Sequence, residues 1–258
     1  MKGANNKGQL TIFIVAGILI VVAIAFYFLF RQGLIPNIGG GKEINPNSFL
    51  ESCIEEKINE AIDLIAIQGG NIKPELKKRF KFKDEAEPVN ISYLCYNQNS
   101  YDRCINQVPM LTSHIETEIE NYIRDDVKIC FNKLAENLEK QNYDVKKIYN
   151  GFEVKLNFEG VKLILDGELD LIKNDESSKM QNIGTIIHTN LYELVLIVHS
   201  ILNSEAQYCE FNINSYMLIY PDIKISLFID SEGEKIYSVK NREIDKLFRF
   251  AVRGCIIG

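Results

Sequence analysis

The 258-residue chain has no tryptophan, no Cys-x-x-Cys and only three histidines, His114, His188 and His199. Without Cys-x-x-Cys, zinc-ribbon and thioredoxin-like chemistry lack the spacing they require. The histidines form no HExxH. His188 and His199 are eleven positions apart on one expected helix, about 16 Å along its axis, too far to share a metal. GxSxG, GxGxxG and the P-loop are also missing. Gly39-Gly40-Gly41-Lys42 has the glycines of a phosphate loop but no strand before it and no Ser or Thr after it. Asp166, Glu168 and Asp170 alternate along an expected strand and share a face. A calcium site usually needs a turning loop, so the three read as a solvated face. No residue is named as catalytic, cofactor-binding or metal-binding, and the chain reads as a non-enzyme.

Charge is missing elsewhere. No charged residue lies between Leu10 and Phe30, and no acidic residue precedes Glu43, whereas Lys2, Lys7, Arg31 and Lys42 do. The apolar run, at about 1.5 Å per residue, reaches roughly 31 Å, the thickness of a bilayer core. A helix is the single-segment structure that satisfies its own backbone there. The run exceeds the core of a cleaved secretory signal and lacks a small-x-small site after it. Lys2 and Lys7 favour a cytoplasmic N-terminus. The expected order is a cytoplasmic N-terminus over 1–9, a transmembrane helix in the lipid bilayer over 10–30, a Gly/Pro linker over 31–47 and an extracytoplasmic domain over 48–258. The chain carries net charge −6 with all its acids from Glu43 onward, which argues against nucleic acid as a partner.

Six cysteines all come after the apolar run. An even number on one side of a membrane span points to disulfides in an oxidising compartment. Fifteen connectivities exist. The connectivity stays open, and one candidate set starts from Cys95 and Cys104, which flank a polar stretch and would close a short loop. Cys53 and Cys130 each fall on an expected helix and pairing ties those helices together, which leaves Cys209 with Cys255. Asn90-Ile91-Ser92 makes Asn90 a glycosylation candidate.

Periodicity supplies the elements. A helix capped by Asn47 or Ser48 carries Leu50, Ile54, Ile58, Ala61, Ile62 and Ile65 to a stop at Gly69-Gly70. Arg79 to Lys83 alternates, with Phe80 and Phe82 on one face. Residues 85–110 read as irregular, with Tyr93, Tyr96 and Tyr101 as a candidate recognition loop. Ser113 with Glu116 forms a capping box for a long helix with Ile115, Ile119, Ile123, Val127, Phe131, Leu134 and Leu138 on one face. Strands are expected over 144–149, 152–158 and 161–172, with Asn150-Gly151 and Glu159-Gly160 as turns. A helix is expected over 183–202, a hairpin over 223–240 and a last strand over 248–252. The fold class is α+β, an antiparallel sheet with packed helices.

Lys7-Gly8-Gln9-Leu10-Thr11, directly before the apolar run, resembles the class III signal sequence of archaeal type IV pilin-like proteins. The resemblance implies processing between Gly8 and Gln9. Gln9 and Thr11 match the pattern, while the pilin glutamate is replaced by Phe13. In style the remainder is similar to single-span, cysteine-bearing archaeal surface proteins. The resemblance implies a membrane-anchored cell-surface protein of structural or interaction type, pilin-like in one form, with other envelope proteins as partners. An extracytoplasmic ligand-binding domain is the first alternative and an anchored hydrolase the last.

Overall fold

The computed structural model describes residues 44–83, 85–174, 176–244 and 246–256. The expected span 10–30, the processing site Gly8–Gln9 and the tether up to 43 lie outside the described residues. Among the described residues, no helix is long and apolar enough to cross a membrane.

The fold is α+β. Helix α1 (Pro46–Gln68) begins inside the stretch read as tether. Its cap is Asn45, whose side chain accepts from Asn47 N at 3.0 Å and Ser48 N at 3.3 Å, with Pro46 opening the first turn. The cap expected at Asn47 or Ser48 is therefore corrected, and Asn47 Oδ1 accepts instead from Gly184 N at 3.1 Å. The helix stops at Gly69, which has φ 75° and whose missing Cβ would lie 3.0 Å from the Arg249 carbonyl oxygen.

The first sheet runs β1 (Lys77–Phe80), β2 (Val89–Tyr96), β10 (Leu247–Arg253), β9 (Lys235–Asn241), β8 (Ile223–Ile229), with short β3 (Ile105–Asn106) also on β2. Two expectations fail here. The segment read as irregular contains β2, a central strand. It shows no alternation because residues 91–95 are all buried, one face toward the main core and the other toward a second cluster. The sheet is also not wholly antiparallel, since β10 pairs with β2 in parallel.

Helix α2 (Leu111–Glu139) buries every residue of its expected face. It starts two residues before Ser113, and no side chain caps it. The capping box is therefore corrected. Glu116 instead accepts from Leu156 N at 2.9 Å, and Glu120 accepts from Val154 N at 2.9 Å. These carboxylates occupy the outer edge of β4 (Asp144–Asn157), the first strand of the second sheet. β4 pairs along its length with β5 (Gly160–Lys173), against which β6 (Glu176–Met180) and β7 (Gly184–Ile187) lie end to end. Asn150-Gly151 is a bulge inside β4 rather than a turn, with the register shifting between Tyr149 and Gly151. The expected helix over 183–202 is corrected to strand β7 and then α3 (Leu191–Tyr208). Gly184 and the β-branched Thr185, Ile186 and Ile187 favour the strand, and His188 lies in the connection rather than on a helix. The short α4 (Ile213–Ile219) leads into β8, and the expected 223–240 hairpin and final strand are present.

The first sheet curls strongly. β1 and β8 are at opposite ends of the strand order, yet Phe80 and Phe228 have ring centroids 6.1 Å apart, and Phe82 and Phe228 5.2 Å. The sheet wraps a second small core of Phe82, Ile91, Tyr93, Ile236 and Ala251. Arg249 lies over the Phe82 ring at 3.8 Å and pairs with Glu85 at 2.6 Å, fastening the segment after β1.

Candidate functional site

Where the curled sheet meets itself, unlike charges collect. Period two along β1 puts Lys78 on the same face as Phe80, so one lysine of this basic strand points inward while Lys77 and Arg79 are exposed. Opposite it, the turn between β8 and β9 reads Asp230-Ser231-Glu232-Gly233-Glu234. Asp230 Oδ1 accepts from the main-chain N–H groups of Glu232 and Glu234, each at 2.9 Å, and Gly233 supplies φ 78°. This folds three carboxylates to one side. Lys78 Nζ contacts Asp230 Oδ2, Glu232 Oε2 at 2.9 Å and Glu234 Oε2 at 2.6 Å. Tyr93 donates to Glu234 Oε2 at 2.6 Å, and Arg253 Nε lies 3.3 Å from Glu234 Oε1. The Glu234 side chain is 4% exposed and Asp230 12%, against 70% for Glu232.

Burial by itself would lower the Lys78 pKa, but the three carboxylates override it and hold the ammonium above the ordinary lysine range. Burial likewise pushes Asp230 up, while Lys78 and the two N–H donors pull it below its ordinary value. Tyr93 is raised by burial and by Glu234. The carboxylate oxygens of Asp230, Glu232 and Glu234 lie close enough together to hold a metal ion. The Lys78 ammonium already stands among them as the counter-cation, so the arrangement is an internal charge cluster.

A second buried charge lies on the other face of the sheet. Glu205 of α3, 1% exposed, accepts from Lys235 Nζ at 2.7 and 3.0 Å and from the Tyr237 hydroxyl. Lys235 also donates to the Cys209 carbonyl at 2.6 Å. Burial and Glu205 together push the Tyr237 phenol up.

The other candidate residues are scattered over the fold. All three disulfides of the candidate set form, Cys53–Cys130, Cys95–Cys104 and Cys209–Cys255, and no free cysteine remains among the described residues. Asn90 is exposed on β2, but Ser92 of its triplet is buried and donates to the Gln68 carbonyl at 2.5 Å. Asp166, Glu168 and Asp170 do share a strand face, and Glu168 is taken by Lys179 at 2.7 Å and Gln181 at 3.0 Å. His114 contacts Asn71 Oδ1 at 2.9 Å beside a surface hollow of about 360 Å³. Asn71 also donates to Ser92 Oγ at 2.8 Å, so an amide separates histidine from serine and the serine proton is committed to a main-chain oxygen. His188 contacts the Glu159 carbonyl at 3.0 Å, and burial lowers the His199 pKa. The tyrosines do not form a common loop. Tyr93 and Tyr96 belong to β2 and stack edge to face at 5.3 Å, while Tyr101 alone is exposed. Sequence reasoning missed the Lys78 cluster, although the inward parity of Lys78 and the three acids within one turn were both visible.

No protein-family model matches this chain, and neither a curated protein nor a solved structure matches it.

Proposed function

We propose that this protein is a membrane-tethered interaction module displayed outside the cytoplasm. The observation that carries the reading is the complete pairing of six cysteines, which suits an oxidising compartment. The uncharged run from Leu10 to Phe30 supplies the tether, and Lys2 and Lys7 before it favour export of the domain on its C-terminal side. The Lys7-Gly8-Gln9-Leu10-Thr11 start supports trimming before Gln9. Phe13 in place of the pilin glutamate favours a tethered module over a filament subunit, because an N-terminal amine buried among apolar helices needs a counter-charge. Neither charged cluster is open to an external substrate. Lys78 and its three carboxylates, and Glu205 with Lys235, are satisfied inside the fold, and Ser92 has no base in contact.

Membrane fractionation tests this. The chain should stay in the membrane after alkaline extraction, present its 48–258 region to protease added to intact cells, and begin at Gln9 by intact mass. Full protection from external protease, or six alkylatable thiols in the native protein, would overturn the reading.

A further inference from the structure

We propose that Lys78 and Asp230 become joined by an amide bond from Nζ to Cγ, formed once per molecule by the groups that surround them. The turn that gathers the charges also has the parts of an acyl-transfer site. Lys78 Nζ is the nucleophile and is already in contact with Asp230 Oδ2. The other carboxylate oxygen, Oδ1, accepts two main-chain N–H groups at 2.9 Å each. Two such donors stabilise the negative charge that gathers on that oxygen when Cγ becomes tetrahedral. Glu234 Oε2 lies 2.6 Å from Nζ and is positioned by the Tyr93 hydroxyl and Arg253 to carry protons between Nζ and Oδ2. Phe80, Phe82 and Phe228 pack together across the seam and hold β1 against β8.

The step balances without any co-reactant. It begins from an ammonium and a carboxylate. Glu234 takes one proton from Nζ and passes it to Oδ2. The freed amine attacks Cγ, and the charge on Oδ1 is held by the N–H groups of Glu232 and Glu234. A second proton leaves the nitrogen through Glu234 for Oδ2, the Cγ–Oδ2 bond breaks as the Cγ–Oδ1 double bond re-forms, and Oδ2 departs as water. Glu234 ends as it began. Asp230 is the acceptor because Glu232 is largely exposed, and because paired N–H donors are found on Asp230 rather than on Glu234. The carboxylates favour the ammonium, so the reactive neutral pair is scarce and the step slow. A single turnover per molecule tolerates that, given effective molarities of about 10⁵–10⁸ M for groups held in contact. The product closes the curled sheet covalently between its two edge strands and, unlike the disulfides, resists reduction.

Intact mass of the full chain, extracted in detergent and then reduced and alkylated, decides the question. The expected mass is short by one water, and digestion should release a branched peptide containing Lys78 and Asp230. Lys78→Arg keeps the cation and Glu234→Gln keeps an acceptor for Tyr93, so both should fold with the native disulfide map while restoring the full mass. A wild-type chain of full mass after prolonged incubation overturns the proposal. So does a missing water that persists in Lys78→Arg, which would place the loss on a succinimide at Asp166-Gly167. A cross-link that forms unchanged in Glu234→Gln overturns the role given to Glu234.

Discussion

At the scale of single residues, the buried charges have to be judged by what breaking them leaves behind. Glu205 is almost fully enclosed and its carboxylate is satisfied by Lys235 and Tyr237. Lys235→Met removes the counter-charge and strands the anion, for which the expected loss is about 3 kcal/mol in denaturant unfolding under oxidising conditions. Replacing the whole group, Glu205→Leu with Lys235→Met and Tyr237→Phe, should return stability to within about 1 kcal/mol of the native protein, because the desolvation penalty goes with the pair and no buried hydroxyl is left without an acceptor. Equal losses in the single and triple variants would mean that the ion pair is not the source. His199 gives the pH dependence. Burial depresses its folded pKa, so the unfolded chain binds the proton more readily and stability rises with pH across that interval. The contribution is present above the ordinary histidine value of about 6.5 and is lost as pH falls through the depressed folded value. His199→Gln should therefore show a smaller drop in Tm than the native protein between about pH 7 and pH 5. Identical drops would remove His199 as a source of acid lability.

At the scale of elements, the edge of β4 shows how helix and strand spacings can be matched. Glu116 and Glu120 are four residues apart on α2, about 6 Å along a helix. Their acceptor roles fall on Leu156 and Val154, two residues apart on a strand and so nearly 7 Å. The two carboxylates thus occupy successive outward N–H groups that an exposed edge would offer to another chain. Glu116→Ala with Glu120→Ala should cost about 1–3 kcal/mol per lost acceptor and shift the protein toward concentration-dependent association, read by light scattering. Gln at both positions, which still accepts, should stay monodisperse. A monodisperse alanine variant would remove the edge-protection argument. This arrangement was not legible in the sequence. Ser113 and Glu116 fit the local capping pattern, but the local pattern lost to a long-range backbone donor 40 residues away. The same kind of override hid β2, because a strand buried on both faces has no alternation to read. It also turned Asn150-Gly151 into a bulge, since β5 offered unbroken pairing on both sides of it. What was legible rested on local pattern: the faces of α1 and α2, the 223–240 hairpin and, one residue late, the β4–β5 turn, which is Phe158-Glu159 with Gly160 already paired to Asn157.

At the scale of the whole molecule, the disulfides are the largest feature that sequence and structure share, and they differ in what they enclose. Cys53–Cys130 joins α1 to α2 across 77 residues, Cys209–Cys255 ties the end of α3 to the chain after β10 across 46, and Cys95–Cys104 closes only 9. That the cysteines pair was legible from their even count, while helix placement and a short polar loop made this set one candidate among fifteen and left the connectivity open. The Lys78–Asp230 contact was not legible, because it depends on a sheet curling until its ends meet, which no local spacing encodes. Chain entropy ranks the bridges by loop length, at about 4.5, 4 and 2.6 kcal/mol for the long, middle and short loops taken singly. Removing Cys53 and Cys130 together, as Cys53→Ala with Cys130→Ala, should therefore destabilise the domain by about 2 kcal/mol more than removing Cys95 and Cys104. Cys95, Cys104 and Cys130 are all buried in the main core and Cys53 packs against it, so a cavity cost falls on both variants and leaves the difference to loop length. Urea unfolding of the two double variants beside the native protein measures the order directly. If the short-loop variant proves the less stable, the bridges act mainly by holding β2 to β3 and the core beneath them, and the loop-entropy ranking fails for this fold.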